Sequence, residues 1–350
     1  MTPTLAPVLY LPHGGGPLPL LGDPNHQALT QFITGLGNKL APPAAILVIS
    51  AHWETAQPSL TAADNPALLF DYSGFPAQSY QLSYPAPGAP QLAAQIAEKL
   101  QQAGFSPQLN TSRGWDHGVF VPLLMLRPQA DIPVLQLSLL KGLDPATHIA
   151  LGEAISFLRA QNVLIIGSGM SFHNMQAFFR QDLVSDAQLE AFNQYLTDSL
   201  QPQYSYAEQA QRLINWQQAP DARLMHPREE HLLPLHVCFG AAKGSTAPNT
   251  AGNQLKWPGR NFLAGTGHTD NHRLAPAFMA AFQCRAHHIN VTDTLKREIY
   301  PAIGHFNDYI LNRLIKLFRV NNVSGTEFCR NIKLTLININ GNNAAGFGHN

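Results

Sequence analysis

Four histidines stand where chemistry would need them. The sequence holds 15 in all. His13 follows an apolar run in LPHGGGP (11–17), His52 ends ILVISAHW, and His173 closes LIIGSGMSFHN. His231, in REEHLLPLH (228–236), stands at a predicted helix start. In α/β folds, sites collect at the carboxyl ends of strands, where loops converge. Imidazoles delivered there from distant parts of the chain suit Zn, Fe, Cu or Ni, so the pattern points to a mononuclear metal centre. A single histidine after a strand is more often an ordinary loop residue; the expectation rests on the four together.

Other chemistries fit less well. LPHGGGP lacks the lysine and the hydroxyl of a phosphate loop and does not match G-x-G-x-x-G. Its glycines instead permit positive φ and close approach of backbone and substrate. HLLPLH is not HExxH: His231 and His236 lie five apart, poorly placed for one helical face, so one of them is expected to ligate rather than both. Ser168, in GSGMS, does not sit in G-x-S-x-G. Cys238 falls in an apolar helical pattern and reads as core. Glu54 near His52, and Glu229 or Glu230 near His231, are carboxylates available to orient a ligand. His117, in RGWDHGVFVPL (113–123), is either part of a tight turn or a donor pointing into the same pocket.

The elements that must carry these residues read as α/β. PVLYL (7–11), AAILVISAHW (44–53), IPVLQLSLL (132–140) and NVLIIGSGM (162–170) are nearly continuous apolar runs, as in strands covered on both faces. Between and after them, residues 89–104, 145–161, 186–200 and 231–244 have helical spacing. The alternation predicts a central, mostly parallel sheet flanked by helices. Residues 70–90, FDYSGFPAQSYQLSYPAPGAP, are aromatic and rich in Pro and Gly without a period, the mark of a functional loop. Its Tyr72, Phe75 and Tyr80 either pack the loop to the body or form the apolar wall of a pocket.

Bulk properties narrow the partners. With 22 Lys+Arg against 22 Asp+Glu, there is no electrostatic reason to expect nucleic acid or an anionic membrane. No run is long and apolar enough for a membrane span, and MTPTLAPVLYL has no basic n-region. Cys238, Cys284 and Cys329 form neither a disulfide framework nor a zinc ribbon, so a cytoplasmic location is expected. Beyond about residue 265 the character changes: residues 265–350 hold nine Lys/Arg against five Asp/Glu and end in an Asn/Gly-rich stretch expected to be disordered. We therefore expect a catalytic domain over 1–264 and an extension of unknown role over 265–350.

Six stretches in order, LPHGGGP, ISAHWE, DYSGFPAQSYQLSYPAPG, RGWDHGVFVPL, IIGSGMSFHN and REEHLLPLHVCFGAA, resemble the class III extradiol ring-cleavage dioxygenases, in their DOPA 4,5-dioxygenase branch. The similarity covers roughly residues 5–245. It implies an α/β sandwich that opens a catechol ring with O2 to give a semialdehyde. It implies His13, His52 and His231 as metal ligands and His173 as the acid/base, the latter also a ligand in a zinc-loaded form. His117 takes the place of a histidine that helps to bind substrate and oxygen. The metal implied is Fe(II) for ring cleavage, or Zn(II), and the partner is a small aromatic catechol such as DOPA.

That chemistry asks for these residue types. A metal with few protein ligands leaves positions for both catechol oxygens and for O2. A histidine that titrates near neutrality can take up and return the protons that move. Two other readings stay open: a module resembling the Memo proteins that binds metal or a partner without oxygenase activity, and a zinc hydrolase with Glu54 or Glu230 as base. Arg223 is a candidate for a substrate carboxylate, with a structural salt bridge as its commoner role.

Overall fold

A computed structural model describes residues 5–180, 183–243 and the backbone of 262–264. Seven strands form one sheet: β1 (Val8–Pro12), β2 (Ala45–Thr55), β3 (Ser59–Thr61), β4 (Gln108–Asn110), β5 (Val134–Leu140), β6 (Val163–Gly169) and β7 (Phe262–Ala264). The helices are α1 (Gln27–Lys39), α2 (Pro90–Gln102), α3 (His117–Leu126), α4 (Pro145–Ile155), α5 (Met175–Phe179), α6 (Asp186–Ser199), α7 (Tyr206–Ile214), α8 (Ala222–Met225) and α9 (Leu233–Ala241). The strand order is β4-β3-β5-β2-β6-β1-β7. All pairings are parallel except β3 with β5. The expected mostly parallel α/β sheet is therefore present.

The four strands read from the sequence are the central ones, and their residues from Val8 to Leu11, Ala45 to Ile49, Val134 to Leu140 and Val163 to Gly169 are buried. A parallel strand needs apolar side chains on both faces because helices cover both, which is why these runs do not alternate. The four helical segments also form, at 90–102, 145–155, 186–199 and 233–241, with residues 156–161 tightening into a 3-10 turn. α4 and α9 approach closely at paired glycines: a Cβ on Gly152 would lie 2.0 Å from the Val237 carbonyl, and one on Gly240 would lie 2.0 Å from that of Ile149.

One local reading is revised. Trp115–Gly118 is not simply a tight turn before an apolar segment, since His117 already begins α3. The apolar run VFVPLLML that follows is a buried helix; apolarity alone cannot separate a short buried helix from a strand. The α1 helix and the short strands β3 and β4, at one end of the sheet order, were not anticipated.

Two compact units are distinguished. The first includes residues up to Asp71 and from Ala77 onward through α9; of the second, the described residues are Tyr72–Pro76. The expectations for residues 265–350 lie outside the described residues. Among the described residues, no helix is long and apolar enough to cross a membrane.

Candidate metal centre

Sheet order and register bring the strand-end histidines together. β1, β6 and β2 are adjacent and parallel, with Leu11 and Ser50 both level with Ser168. His13 and His52 each lie two residues beyond that level. Between Ile49 and Glu54 the β2–β5 register shifts: these residues pair with Leu137 and Leu139, so β2 carries extra residues there. Such a bulge turns a side chain out of the regular ladder, and His52 lies within it.

Both residues are held from behind. Nδ1 of His13 lies 3.0 Å from the Ser168 hydroxyl. The His52 backbone N–H donates to Ser50 Oγ at 3.1 Å, and Ser50 donates to the buried Asp116 at 2.7 Å. Arg113 and Gln136 also donate to Asp116, at 2.9 and 2.6 Å. The LPHGGGP turn has Gly14 at φ 78° and Gly16 at φ 55°, which glycine adopts without strain. It is pinned where the Gly15 N–H donates to Nε2 of buried His26 at 3.0 Å, whose Nδ1 donates to Asp23 at 2.7 Å.

His231 enters from the segment ahead of α9. Its carbonyl accepts from the Tyr10 hydroxyl at 2.9 Å and from the Met170 N–H at 2.8 Å. A Cβ on Gly169 would lie 2.1 Å from that carbonyl, so only glycine lets the end of β6 pass beneath it. His173 stacks on His231. Nδ1 of both rings lies within 3.1 Å of one oxygen of Glu230.

The outcome is a compact cluster. His13 Nε2 and His52 Nε2 are 3.0 Å apart, and His13, His52 and His231 offer ligand atoms all within 4.8 Å of one another. Nitrogens on one tetrahedral ion are separated by about 3.3 Å at ordinary metal–nitrogen bond lengths, so the spacing fits a metal. The donors fit as well. Burial first, then the neighbouring His173, His52, His13 and His226, keeps His231 well below its ordinary pKa. A neutral imidazole is the form that ligates. Two flanking groups, His52–Asp71–His117 and His173–Glu230–His231, meet the same spacing criterion.

The carboxylates stand behind the histidines. Burial pushes Glu230 up, but the hydrogen bond and charge of His173, together with Arg228, bring it below the usual carboxylate range. For Asp71, burial likewise raises and the His117 hydrogen bonds and charge overcome it. Both carboxylates are therefore acceptors at neutral pH. Asp71 Oδ1 accepts from the His117 N–H at 3.0 Å and from its Nδ1 at 2.8 Å. The His117 ring lies 3.9 Å, centroid to centroid, from that of His52.

All five histidines singled out from the sequence thus meet in one cluster. His236 does not: it is buried and donates from Nε2 to the Leu213 carbonyl at 2.9 Å. Glu54 accepts two 2.6 Å contacts from Arg228, which also reaches Glu230 at 3.3 Å. Arg223 pairs with Glu229 at 2.6 Å and lies over Trp216, the structural role. Cys238 is buried core, its thiol pushed up by burial. In the aromatic loop, Tyr80 packs edge to face on Phe70, and Tyr72 on Phe75. Asp71, Ser168 as a partner of His13, and His26 were missed. For Asp71 the only available signal was a lone acid in an otherwise aromatic loop.

The chain is similar to proteins of known family. A family model described as the catalytic LigB subunit of aromatic ring-opening dioxygenase matches residues 8–259. Among curated proteins, dioxygenase tasH of Hapsidospora irregularis is 42% identical over 259 residues, 68% of this chain and 78% of its own. The 4,5-DOPA dioxygenase extradiol of Beta vulgaris is 40% identical over 238 residues, covering 67% of this chain and 85% of that one. Its Escherichia coli K12 namesake is 33% identical over 245 residues, with 70% and 88% covered. A crystal structure of an uncharacterized E. coli K12 protein, JW3007, aligns with a TM-score of 0.53 at 30% identity, covering 63% of this chain and 84% of that one.

Proposed function

Since this chain belongs to the LigB family of aromatic ring-opening dioxygenases, we propose that its histidine cluster binds a catechol, DOPA or a related compound, and opens the ring beside the two hydroxyls. The names of the relatives support DOPA as the first substrate to try. The observation that carries the reading is the convergence of His13, His52 and His231, with His173 stacked against the third.

In this reading His13, His52 and His231 hold one metal, Fe(II) for ring cleavage, and in a zinc-loaded form His173 is a fourth ligand. When bound, the metal supplies adjacent positions for the catechol oxygens and O2 and relieves the spin barrier to their reaction. The protein contributes proton handling and orientation. Glu230 holds the proton on Nδ1 of His173, at 3.1 Å, which leaves Nε2 to accept the proton of a catechol hydroxyl. The carboxylate stabilises the imidazolium that forms, and the same proton returns to the developing product oxygen. Glu230 also holds Nδ1 of His231, 3.0 Å away, so Nε2 of that ring is its ligand atom. We assign this chemistry to residues 1–264 and none to 265–350, so that a chain ending at residue 264 should retain it.

The test is direct. The purified protein is loaded anaerobically with Fe(II) and given a panel of catechols including DOPA. Air is then admitted while oxygen uptake and the visible absorbance of a ring-opened semialdehyde are followed. Stoichiometric uptake with a yellow product is expected. Absence of uptake with a tightly held zinc or copper would favour a metal-binding module or a hydrolase instead.

A further inference from the structure

His117 opens α3, yet the residue ahead of it, Asp116, makes no side-chain cap to that helix. The capping acceptor comes from another part of the chain. Residues 67–69 run beside 114–115: the Trp115 N–H donates to the Ala67 carbonyl at 2.9 Å, and the Leu69 N–H to that of Trp115 at 2.7 Å. A Cβ on Gly114 would lie 2.4 Å from the Ala67 carbonyl, so the two segments approach as only glycine allows. The Asp71 N–H then donates to the Leu69 carbonyl at 3.0 Å, which turns its side chain onto His117. One oxygen takes both the backbone N–H and the ring Nδ1 of His117, while the other lies 3.9 Å from Nδ1 of His52.

From this geometry we propose that Asp71 is a positioning residue for ring opening: it fixes His117 as the Nδ1–H tautomer, so that Nε2 is the nitrogen offered to substrate beside the metal ligands. The inference rests on the ring-opening reading of the same site. A carboxylate that accepts two N–H groups of one residue fixes both ring rotation and tautomer, and leaves the far nitrogen basic. Glu230 likewise stands behind Nδ1 of His173, while the His173 backbone N–H donates to the Met225 carbonyl instead. Two carboxylate–histidine pairs thus flank the three converging imidazoles, and a catechol carries two hydroxyl protons.

Asp71→Asn keeps the helix cap, because the amide oxygen still accepts the His117 backbone N–H, and removes the negative charge that favours the proton on Nδ1. With the Fe(II)-loaded full chain, kcat should fall about 10- to 100-fold, with metal content, thermal midpoint and KM little changed. Histidine-selective 15N spectra of the zinc-loaded chain, assigned with His117→Gln, should show the proton of His117 on Nδ1 in the wild type and a larger Nε2–H fraction in Asp71→Asn. A kcat indistinguishable from wild type, or a wild-type His117 protonated on Nε2, would overturn the proposal. If the wild type itself consumes no O2 with any catechol, ring opening falls, and the imidazole signals alone then decide whether Asp71 sets the tautomer.

Discussion

His173 and His231 lie face to face, with ring centroids 3.5 Å apart and planes 20° from parallel, and Glu230 Oε1 is 3.1 Å from Nδ1 of the first and 3.0 Å from Nδ1 of the second. One oxygen therefore orients both imidazoles at once. Burial first, then the neighbouring His173, holds His231 below its ordinary pKa.

Glu230→Gln should disturb both. Its amide oxygen accepts less strongly than a carboxylate, so metal affinity or turnover is expected to drop about 10- to 100-fold. Metal titration and kcat, measured on the same preparation, check this. Wild-type values for both would remove Glu230 from the site.

Substituting the imidazoles should separate binding from turnover. His13→Ala and His52→Ala each remove one of three converging donors, and neither variant should retain stoichiometric metal after dialysis. His173→Ala should retain Fe(II) and bind catechol, with kcat lowered by about 10²- to 10⁴-fold, the usual contribution of a positioned acid/base. A near-normal rate in His173→Ala would exclude it from that role.

Gly169→Ala tests the backbone that seats His231. Its Cβ would lie 2.1 Å from the His231 carbonyl, whereas one on Gly35 in α1 meets nothing within 4 Å. The first substitution should weaken metal binding; Gly35→Ala should leave it unchanged and stabilise the helix by up to about 1 kcal/mol. Equal metal affinity in the two variants would show that the segment carrying His231 shifts freely.

Acid should destabilise the metal-free protein through buried neutral histidines. Burial lowers His226 to about 3 and His236 to about 4, and each donates from Nε2 to a backbone carbonyl. Below the unfolded value near 6.5 the unfolded chain binds protons that the folded chain refuses, so stability is full above about pH 6.5 and falls as pH drops toward 4. Each group contributes at most about 1.4 kcal/mol per pH unit over that window. Urea midpoints should fall from pH 7.5 to 5. His236→Gln, which keeps a donor for the Leu213 carbonyl and removes the titration, should reduce that slope; an unchanged slope would contradict the assignment.

The local code of this chain was legible. Apolar runs without alternation marked the buried parallel strands, helical spacing marked four of the helices, and the histidines at run ends are those that the fold gathers into one cluster. Each is written in neighbouring residues, because burial on both faces of a strand or on one side of a helix is a local demand. Tertiary structure alone decided the rest. Strand order placed β6 between β1 and β2, which set Ser168 behind His13 across 155 residues of chain. The close passage of residues 67–69 beside 114–115 brought Asp71 to His117 across 46. Glu230 was visible as a neighbour of His231, but its hold on His173 was not. A polar side chain acquires its role from whichever partner the packed chain sets within hydrogen-bond reach. No local pattern of residues encodes that distance, because it is fixed by sheet register and helix packing.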